Sequence, residues 1–340
     1  MRIISNTLTK IVIIVTTLVI FFTIFTGCYS PISPKDVTPI SKTALLLNTV
    51  VKITVYDKQD EALIADCFTL CEQYEQIFSR TSEESELYKL NKSGSAEVSD
   101  DLLCVIKLAL SYCEKSKGAF DITVGVLSDM YAFGTESAAV PTTQEIDLQL
   151  SHIGYDNIEI SGNTITLKDS QAKIDLGAIA KGYIADRLAD FLKENGVTSA
   201  IIDLGGNVLC IGSKPGGSDY LVGIQYPFED KSHIITTVSV SDMSVVTSGI
   251  YERYFEQDGV LYHHILNPKT GYPFDSSLLS VTIFAESSAV ADGLSTVCFA
   301  LGKDAGMQLI DDTEGVYAIF VTDDFKVHYS KDFENSFLQT

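Results

Sequence analysis

The chain predicts an α+β protein built on a large mixed or antiparallel sheet flanked by helices. Three observations carry that prediction. Strand-type segments dominate the second half, and helical segments fall among them without strict alternation. Apolar residues make up 46% of 340, ample for a sizeable core. A parallel βαβ architecture would demand regular strand–helix alternation, which is absent.

The elements follow in order. Residues 50–56 alternate and are rich in β-branched side chains, so they read as a strand. Residues 61–78 place Leu63, Cys67, Leu70, Tyr74 and Ile77 at intervals of four and three, the spacing of one helical face. Residues 79–94 read as a polar connection holding a short Ser85-Glu86-Leu87 turn. A second helix spans 99–116, capped by Ser99 with acids in its first turn. Residues 118–123 read as a loop, 143–150 as a short helix, and 158–160 with 164–167 as a hairpin around Ser161-Gly162-Asn163. A long helix over 179–195 ends at Gly196, a residue suited to the left-handed backbone beyond a last turn. Strands at 200–203 and 208–211 flank Leu204-Gly205-Gly206-Asn207, and 221–225, 234–240, 243–247, 251–255, 260–265 and 280–284 continue the sheet. Residues 288–301 form a helix stopped by Gly302, 305–311 a shorter one, and 316–321 with 326–329 close as a hairpin over Asp323-Asp324. There is no internal repeat and no low-complexity tract.

Residues 1–27 are set apart from this fold. Arg2 and Lys10 precede a charge-free, mostly apolar run from 11 to 25, then Thr26-Gly27-Cys28. That order is the signature of an export signal. The run is shorter than the roughly 20 residues a spanning helix needs. A Cys directly after small residues resembles the bacterial lipoprotein lipobox, with Phe25 where Leu is usual; the alternative is an ordinary signal peptide. Residues 28–43 read as a lipid-anchored tether, extended by Pro31, Pro34 and Pro39. Diacylation of Cys28 would supply the two-chain anchoring that a single chain cannot. The expectation is a protein lipid-anchored to the cell membrane on its extracytoplasmic face, with residues 44–340 as its working domain.

The net charge of −21 excludes nucleic acid as a partner, because phosphate backbones demand basic surface. An anionic ligand must instead be met locally, by a helix end, a Lys or a divalent metal. Of seven Cys, Cys28 is the lipidation candidate. The other six lack zinc-type spacing, and nothing in their order requires disulfides.

Four segments could carry chemistry. Lys173-Ile174-Asp175-Leu176-Gly177-Ala178-Ile179-Ala180-Lys181-Gly182 delivers a carboxylate, a turn, and a helix start with a Lys in its first turn. Helix starts present unpaired N–H groups that suit phosphate, although an ordinary strand-turn-helix joint reads the same way. Asp292, Ser295 and Thr296 stand at i, i+3 and i+4, so their oxygens share one helical face. Such hard donors suit Mg²⁺ rather than zinc, and equally suit plain packing of small polar residues. In the strand holding His263 and His264, the two side chains point to opposite faces, so one at most faces a given site. Thr247-Ser248-Gly249 offers hydroxyls at a strand end, or simply a turn. A nucleophile elbow, a Walker A loop and a GxGxxG fingerprint are all missing, which removes support for triad hydrolases, P-loop enzymes and Rossmann enzymes.

Taken in order, six segments resemble the ApbE family, the FAD:protein FMN transferases. They are Gly118-Ala119-Phe120-Asp121, Asp175-Leu176-Gly177-Ala178-Ile179-Ala180-Lys181-Gly182-Tyr183, Asp203-Leu204-Gly205-Gly206-Asn207, Thr247-Ser248-Gly249, His264-Ile265-Leu266-Asn267-Pro268-Lys269-Thr270-Gly271, and Ala291-Asp292 through Thr296. The resemblance runs from Val50 to the end. It departs from the family at Leu47-Asn48-Thr49, where Met-Gly-Thr is frequent, and at Asn267, where Asp is common.

The resemblance implies an ApbE-like fold with an FAD site between two joined lobes. It implies FAD as donor substrate, Mg²⁺ as cofactor, and transfer of FMN through a phosphoester bond to a Thr hydroxyl of an acceptor flavoprotein, releasing AMP. The implied acceptor is an exported or membrane electron-transfer subunit. Carried over by position, Ala119, Phe120 and Asp121 line the flavin or adenine pocket, and Asp175, Lys181, Ser248, His264 and Ile265 contact FAD. The Ala178 carbonyl, Asp292, Ser295 and Thr296 hold the metal, and His264 and Asp292 are the catalytic residues, His264 as general base. Hydrolysis of FAD to FMN and AMP, or flavin binding without turnover, remain alternatives from sequence.

Overall fold

A computed structural model describes residues 38–230 and 232–338. The expected signal, the lipidation site Cys28 and most of the tether lie outside the described residues. Ile40–Leu46 (β1) takes in residues 40–43, which the sequence reading assigns to the tether. It pairs with Thr49–Val55 (β2) through a turn whose Leu47 and Asn48 both have positive φ, 54° and 55°. That is the hairpin geometry whose twist matches the flanking strands.

Glu61–Phe78 (α1) begins where Asp60 Oδ1 accepts from Ala62 N–H at 3.0 Å. Residues 79–94 correct the sequence reading, because Glu86–Ser93 (α2) is a helix. Ser85 caps it, Leu87 and Leu90 are fully buried, and Gly94 closes it in the left-handed region. Two turns carry too few apolar repeats for periodicity to reveal them. Ser95–Glu97 (β3) precedes Asp100–Lys115 (α3), capped by Ser99 as expected. Gly125–Tyr131 (α4) lies in a stretch with no predicted element; Thr143–Leu150 (α5) carries a capping box between Thr142 and Glu145.

Ile158–Ser161 (β4) and Thr164–Leu167 (β5) form the expected hairpin and join β3 in a small sheet. Ala180–Glu194 (α6) leads into Ala200–Leu204 (β6) and Asn207–Ile211 (β7). Tyr220–Gln225 (β8), Ile234–Val240 (β9), Met243–Gly249 (β10), Tyr254–Gln257 (β11) and Val260–His263 (β12) follow. Leu278–Ala285 (β13), Ser288–Leu301 (α7), Lys303–Asp311 (α8), Tyr317–Thr322 (β14), Val327–Tyr329 (β15) and Phe333–Phe337 (α9) complete the described chain.

The principal sheet has eight strands in the order β1-β2-β6-β7-β10-β13-β14-β15, and every neighbouring pair is antiparallel. β8–β9 and β11–β12 are separate ribbons rather than continuations of it, a second correction. The reason is that both faces of the sheet need cover. Val281 and Ile283 face a cluster shared with Ile64, Leu102, Ile184 and Val297 of the helices. Phe284, Ile319 and Val321 face the other way, onto Tyr220, Ile224 and Val238 of the β8–β9 ribbon and onto Phe333 of α9. β13 is accordingly buried along its whole length. A third cluster joins Leu127 and Tyr131 of α4, Ile146 of α5 and Leu266. The six Cys among the described residues are all free.

Candidate active site

α6 and α7 cross where neither presents bulk. A Cβ on Gly182 would fall on the Ser288 carbonyl oxygen and within 2.6 Å of Asp292 Cβ, so only glycine permits this approach. Gly182 lies against Asp292 and Asp186 against Ser288, an antiparallel arrangement in which each helix sends a carboxylate to the other's N-terminus. Asp186 accepts from Ser288 N–H at 2.7 Å, Ala289 N–H at 3.0 Å and the Ser287 hydroxyl at 2.7 Å. Burial raises its pKa, and those three donors oppose the rise. With its oxygens engaged, Asp186 is a cap.

Asp292 is different. It is 4% exposed, and its Oδ2 accepts from Gly182 N–H at 2.8 Å. Oδ1 lies 3.9 Å from Lys181 Nζ, leaving acceptor capacity directed at the Lys181 side. Gly182 N–H is one of the amides that a helix start leaves without an intrahelical partner, and Asp292 satisfies it. Ala178 stands in the turn just before α6, whose N-cap is Ile179.

Beyond Asp292 stand three hydroxyls. Ser295 Oγ donates to the Asp292 carbonyl at 2.8 Å, and Ser248 Oγ lies 2.7 Å from Ser295 Oγ and 3.0 Å from Thr296 Oγ1. Ser295 is fully buried, whereas Thr296 and Ser248 are half-buried. Ser295, expected among the metal ligands, is fully buried with its hydrogen committed to a carbonyl. The expected set, the Ala178 carbonyl, the Asp292 carboxylate and the Ser295 and Thr296 hydroxyls, consists of hard oxygens that fit Mg²⁺. Among the described residues no group of three His, Cys, Asp or Glu side chains could hold a softer metal.

The two histidines have different surroundings: β12 ends at His263, short of the expected residue 265, and His264 lies in the bend after it. His263 is 5% exposed; its Nε2 lies 3.1 Å from the Phe274 carbonyl and its Nδ1 accepts from Ile265 N–H at 3.3 Å. Burial lowers its pKa to about 4. His264 directs Nδ1 at the Arg253 carbonyl, 3.2 Å away, so Nδ1 carries the hydrogen and Nε2 keeps a lone pair. Burial, then Arg253, His263 and Lys181, press its pKa down to about 3. Lys181 thus acts electrostatically on His264 and lies 3.9 Å from Asp292.

The remaining predicted residues form the adjoining wall. Asp175 N–H donates to the Ile122 carbonyl at 2.7 Å, laying the 119–123 loop beside the strand before α6. Asp175 Oδ1 accepts from Gly177 N–H at 2.8 Å and Oδ2 pairs with Arg80 Nε at 3.1 Å. Asp121 accepts from Thr123 N–H and hydroxyl and from Tyr155 N–H at 2.7 to 2.9 Å, so its oxygens organise the loop. Phe120 is buried edge-on to Tyr112, and Ala119 is half-buried. Ile265 is buried with both backbone groups bonded, to His263 and Phe274. Asn267 Oδ1 accepts from Lys269 N–H at 2.9 Å, so the position common to Asp in the family is met here by an uncharged acceptor. A cleft beside α6, lined by Asp186, Asp190, Asp242 and Glu286 together with Arg187 and Lys193, contains none of the predicted residues.

Sequence reasoning missed Arg80, Asp186, Asn91 and Asn207. Asn91 bonds Ile174 N–H and carbonyl like a strand neighbour, at 2.8 and 2.9 Å. Asn207 Oδ1 accepts from the Ser288 hydroxyl at 2.7 Å, while its buried Nδ2 has no partner among the described residues. Asn207 stood in a quoted motif and carried a signal; Arg80 and Asn91 stood in the stretch read as a connection.

The profile of the ApbE family matches residues 47–320. A FAD:protein FMN transferase of Treponema pallidum is 36% identical over 312 residues, covering 85% of this chain and 86% of that protein. The chain belongs to the ApbE family. A FAD:protein FMN transferase of Klebsiella pneumoniae is 35% identical, covering 83% of this chain and 89% of its own length. Among solved structures, the ApbE protein of Thermotoga maritima superposes with a TM-score of 0.81 at 33% identity, covering 88% of this chain and 99% of that one. Flavin transferase ApbE of Vibrio cholerae gives 0.79 at 28% identity with the same coverage. The ApbE fold is thus mixed α+β with a large antiparallel sheet, as expected.

Proposed function

We propose that this chain is a FAD:protein FMN transferase that uses Mg²⁺ to move FMN from FAD to a threonine hydroxyl of an acceptor flavoprotein, releasing AMP. Its membership of the ApbE family and the names of its relatives support the activity. The observation that carries the finer reading is the Gly182–Asp292 bond, which holds a nearly buried carboxylate at the start of α6 with spare acceptor capacity toward Lys181.

The Ala178 carbonyl, Asp292 and Thr296 would hold the Mg²⁺, which supplies Lewis-acid stabilisation of phosphoryl charge when bound. Lys181, half-buried beside Asp292, binds a pyrophosphate oxygen in a chain otherwise hostile to anions. The unpartnered Asn207 Nδ2 is a further donor for FAD. The acceptor oxygen forms a bond to the phosphorus of the FMN half, the bond from that phosphorus to the bridging oxygen breaks, and AMP leaves with the bridging oxygen. His264 Nε2 takes the hydroxyl proton, with Nδ1–H held on the Arg253 carbonyl. Its low proton affinity in the free chain rises when pyrophosphate charge arrives near Lys181 and Arg253. Residues 1–28 would place the enzyme, lipid-anchored through Cys28, on the extracytoplasmic face of the cell membrane beside an exported electron-transfer acceptor.

The test combines the full chain with FAD, Mg²⁺ and an exported flavoprotein domain. Flavin fluorescence that stays on the denatured acceptor is the expected outcome. AMP and FMN appearing at full rate without acceptor, and no label with it, would make the chain an FAD hydrolase.

A further inference from the structure

The hydroxyls of Ser248, Ser295 and Thr296 form a chain whose direction can be worked out by counting hydrogens. Each hydroxyl owns one hydrogen and can accept on two lone pairs. Ser295 Oγ lies 2.8 Å from the Asp292 carbonyl oxygen, which can only accept, so the Ser295 hydrogen is spent there. Ser248 Oγ, 2.7 Å from Ser295 Oγ, must then be the donor to Ser295. With its hydrogen used, Ser248 can only accept from Thr296 Oγ1, 3.0 Å away. The order is Thr296 to Ser248 to Ser295 to the Asp292 carbonyl.

That direction decides what Thr296 shows to the site. Its hydrogen is drawn toward Ser248 on β10, so both lone pairs are released. A threonine hydroxyl whose hydrogen swept the site would repel a cation; one held this way is a ready ligand oxygen. The anchoring end is the fully buried Ser295 and the working end is the half-buried Thr296, so the order runs from core to site. The relay ends at the backbone carbonyl of Asp292, the residue whose carboxylate accepts the Gly182 amide.

We propose that Ser295 and Ser248 are positioning residues that fix the polarity of the Thr296 hydroxyl, so that it presents lone pairs to a divalent cation. The proposal rests on the Mg²⁺ reading above and concerns residues that do not themselves touch the ion. Outer partners that orient a ligand typically change metal affinity about 10–100-fold.

The experiment measures Mn²⁺ binding to the full-length protein by electron paramagnetic resonance, without FAD or acceptor, for wild type, Asp292→Ala, Thr296→Val, Ser295→Ala, Ser248→Ala and Ser248→Thr. Unfolding temperatures without metal are recorded alongside. The expected result is strong loss in Asp292→Ala and Thr296→Val, about tenfold weaker binding in Ser295→Ala and Ser248→Ala, and recovery in Ser248→Thr, which restores a hydroxyl. Wild-type binding in Asp292→Ala and Thr296→Val would remove the metal reading itself. Loss in those two with unchanged binding in folded Ser295→Ala or Ser248→Ala would overturn the relay alone. Should Ser295→Ala fail to fold, the Ser248 pair decides, since Ser248 is half-buried. Equal loss in Ser248→Ala and Ser248→Thr also counts against the relay.

Discussion

Gly182 donates its backbone N–H to Asp292 Oδ2 at 2.8 Å, and this bond joins fold to chemistry. It requires a glycine, because any Cβ there would meet the Ser288 carbonyl. It orients a nearly buried carboxylate at the start of a helix 110 positions away in the chain.

Asp292→Asn separates charge from shape. The amide oxygen can still accept from Gly182, so the unfolding temperature should stay near wild type. FMN transfer should fall at least about 100-fold, with excess Mg²⁺ restoring it only weakly. Asp292→Ala should show the same loss plus about 1–3 kcal/mol of destabilisation from the orphaned buried amide. Initial rates of covalent flavin appearing on the acceptor, with thermal melts, check both; normal turnover in either variant would remove Asp292 from the site.

Asp186 should behave in the opposite way. Its carboxylate satisfies Ser288 N–H, Ala289 N–H and the Ser287 hydroxyl at the start of α7. Asp186→Ala should cost about 2–4 kcal/mol in denaturant unfolding. Transfer by the folded fraction, measured well below the transition, should remain close to wild type. A large rate loss at full stability would instead make Asp186 part of the chemistry.

Why sequence reading could find Asp292 and not Asp186 has a physical basis. Asp292 falls in a helical run where Asp, Ser and Thr share a face, so its chemistry repeats with the helix period. Asp186 is one acidic residue among several on an amphipathic helix, and only the crossing angle of α6 and α7 gives it a task. The large sheet was legible because strand segments dominate the second half without strict strand–helix alternation, whereas the assignment of β8–β9 and β11–β12 to separate ribbons was not. Pairing depends on which apolar face needs cover, and a strand's own pattern does not record its neighbour. Arg80 was illegible for a similar reason: its partners Asp129 and Asp175 are 49 and 95 positions away.

Gly182→Ala tests the crossing. The added methyl meets the Ser288 carbonyl and comes within 2.6 Å of Asp292 Cβ, both parts of packed helices. Separating them should cost about 1–3 kcal/mol and lower the rate, because the amide moves away from Asp292. Unfolding midpoints and rates in one preparation check this; a wild-type midpoint would show that the helices have room to slide.

Mild acid should destabilise the chain through its buried histidines. Burial pushes His263 down to about 4, and burial with Arg253, His263 and Lys181 pushes His264 down to about 3. In the unfolded chain each titrates near about 6.5. Between about pH 6.5 and pH 4 the unfolded chain therefore binds protons that the folded chain refuses, so stability climbs with pH across that window and levels off above it. For His263, 5% exposed, the effect is on the order of 3 kcal/mol over the window. Asp121 and Asp186 act in the other direction: burial raises both, so the folded chain holds protons that the unfolded chain has lost, and their contribution fades as pH rises through the raised values. A variant that cannot titrate at position 263 separates the histidine contribution from that of these carboxylates. His263→Gln cannot titrate, so its denaturant midpoint should vary less with pH than that of wild type. A wild-type midpoint that falls as pH rises from about 5 to 6.5 would contradict neutral burial of His263.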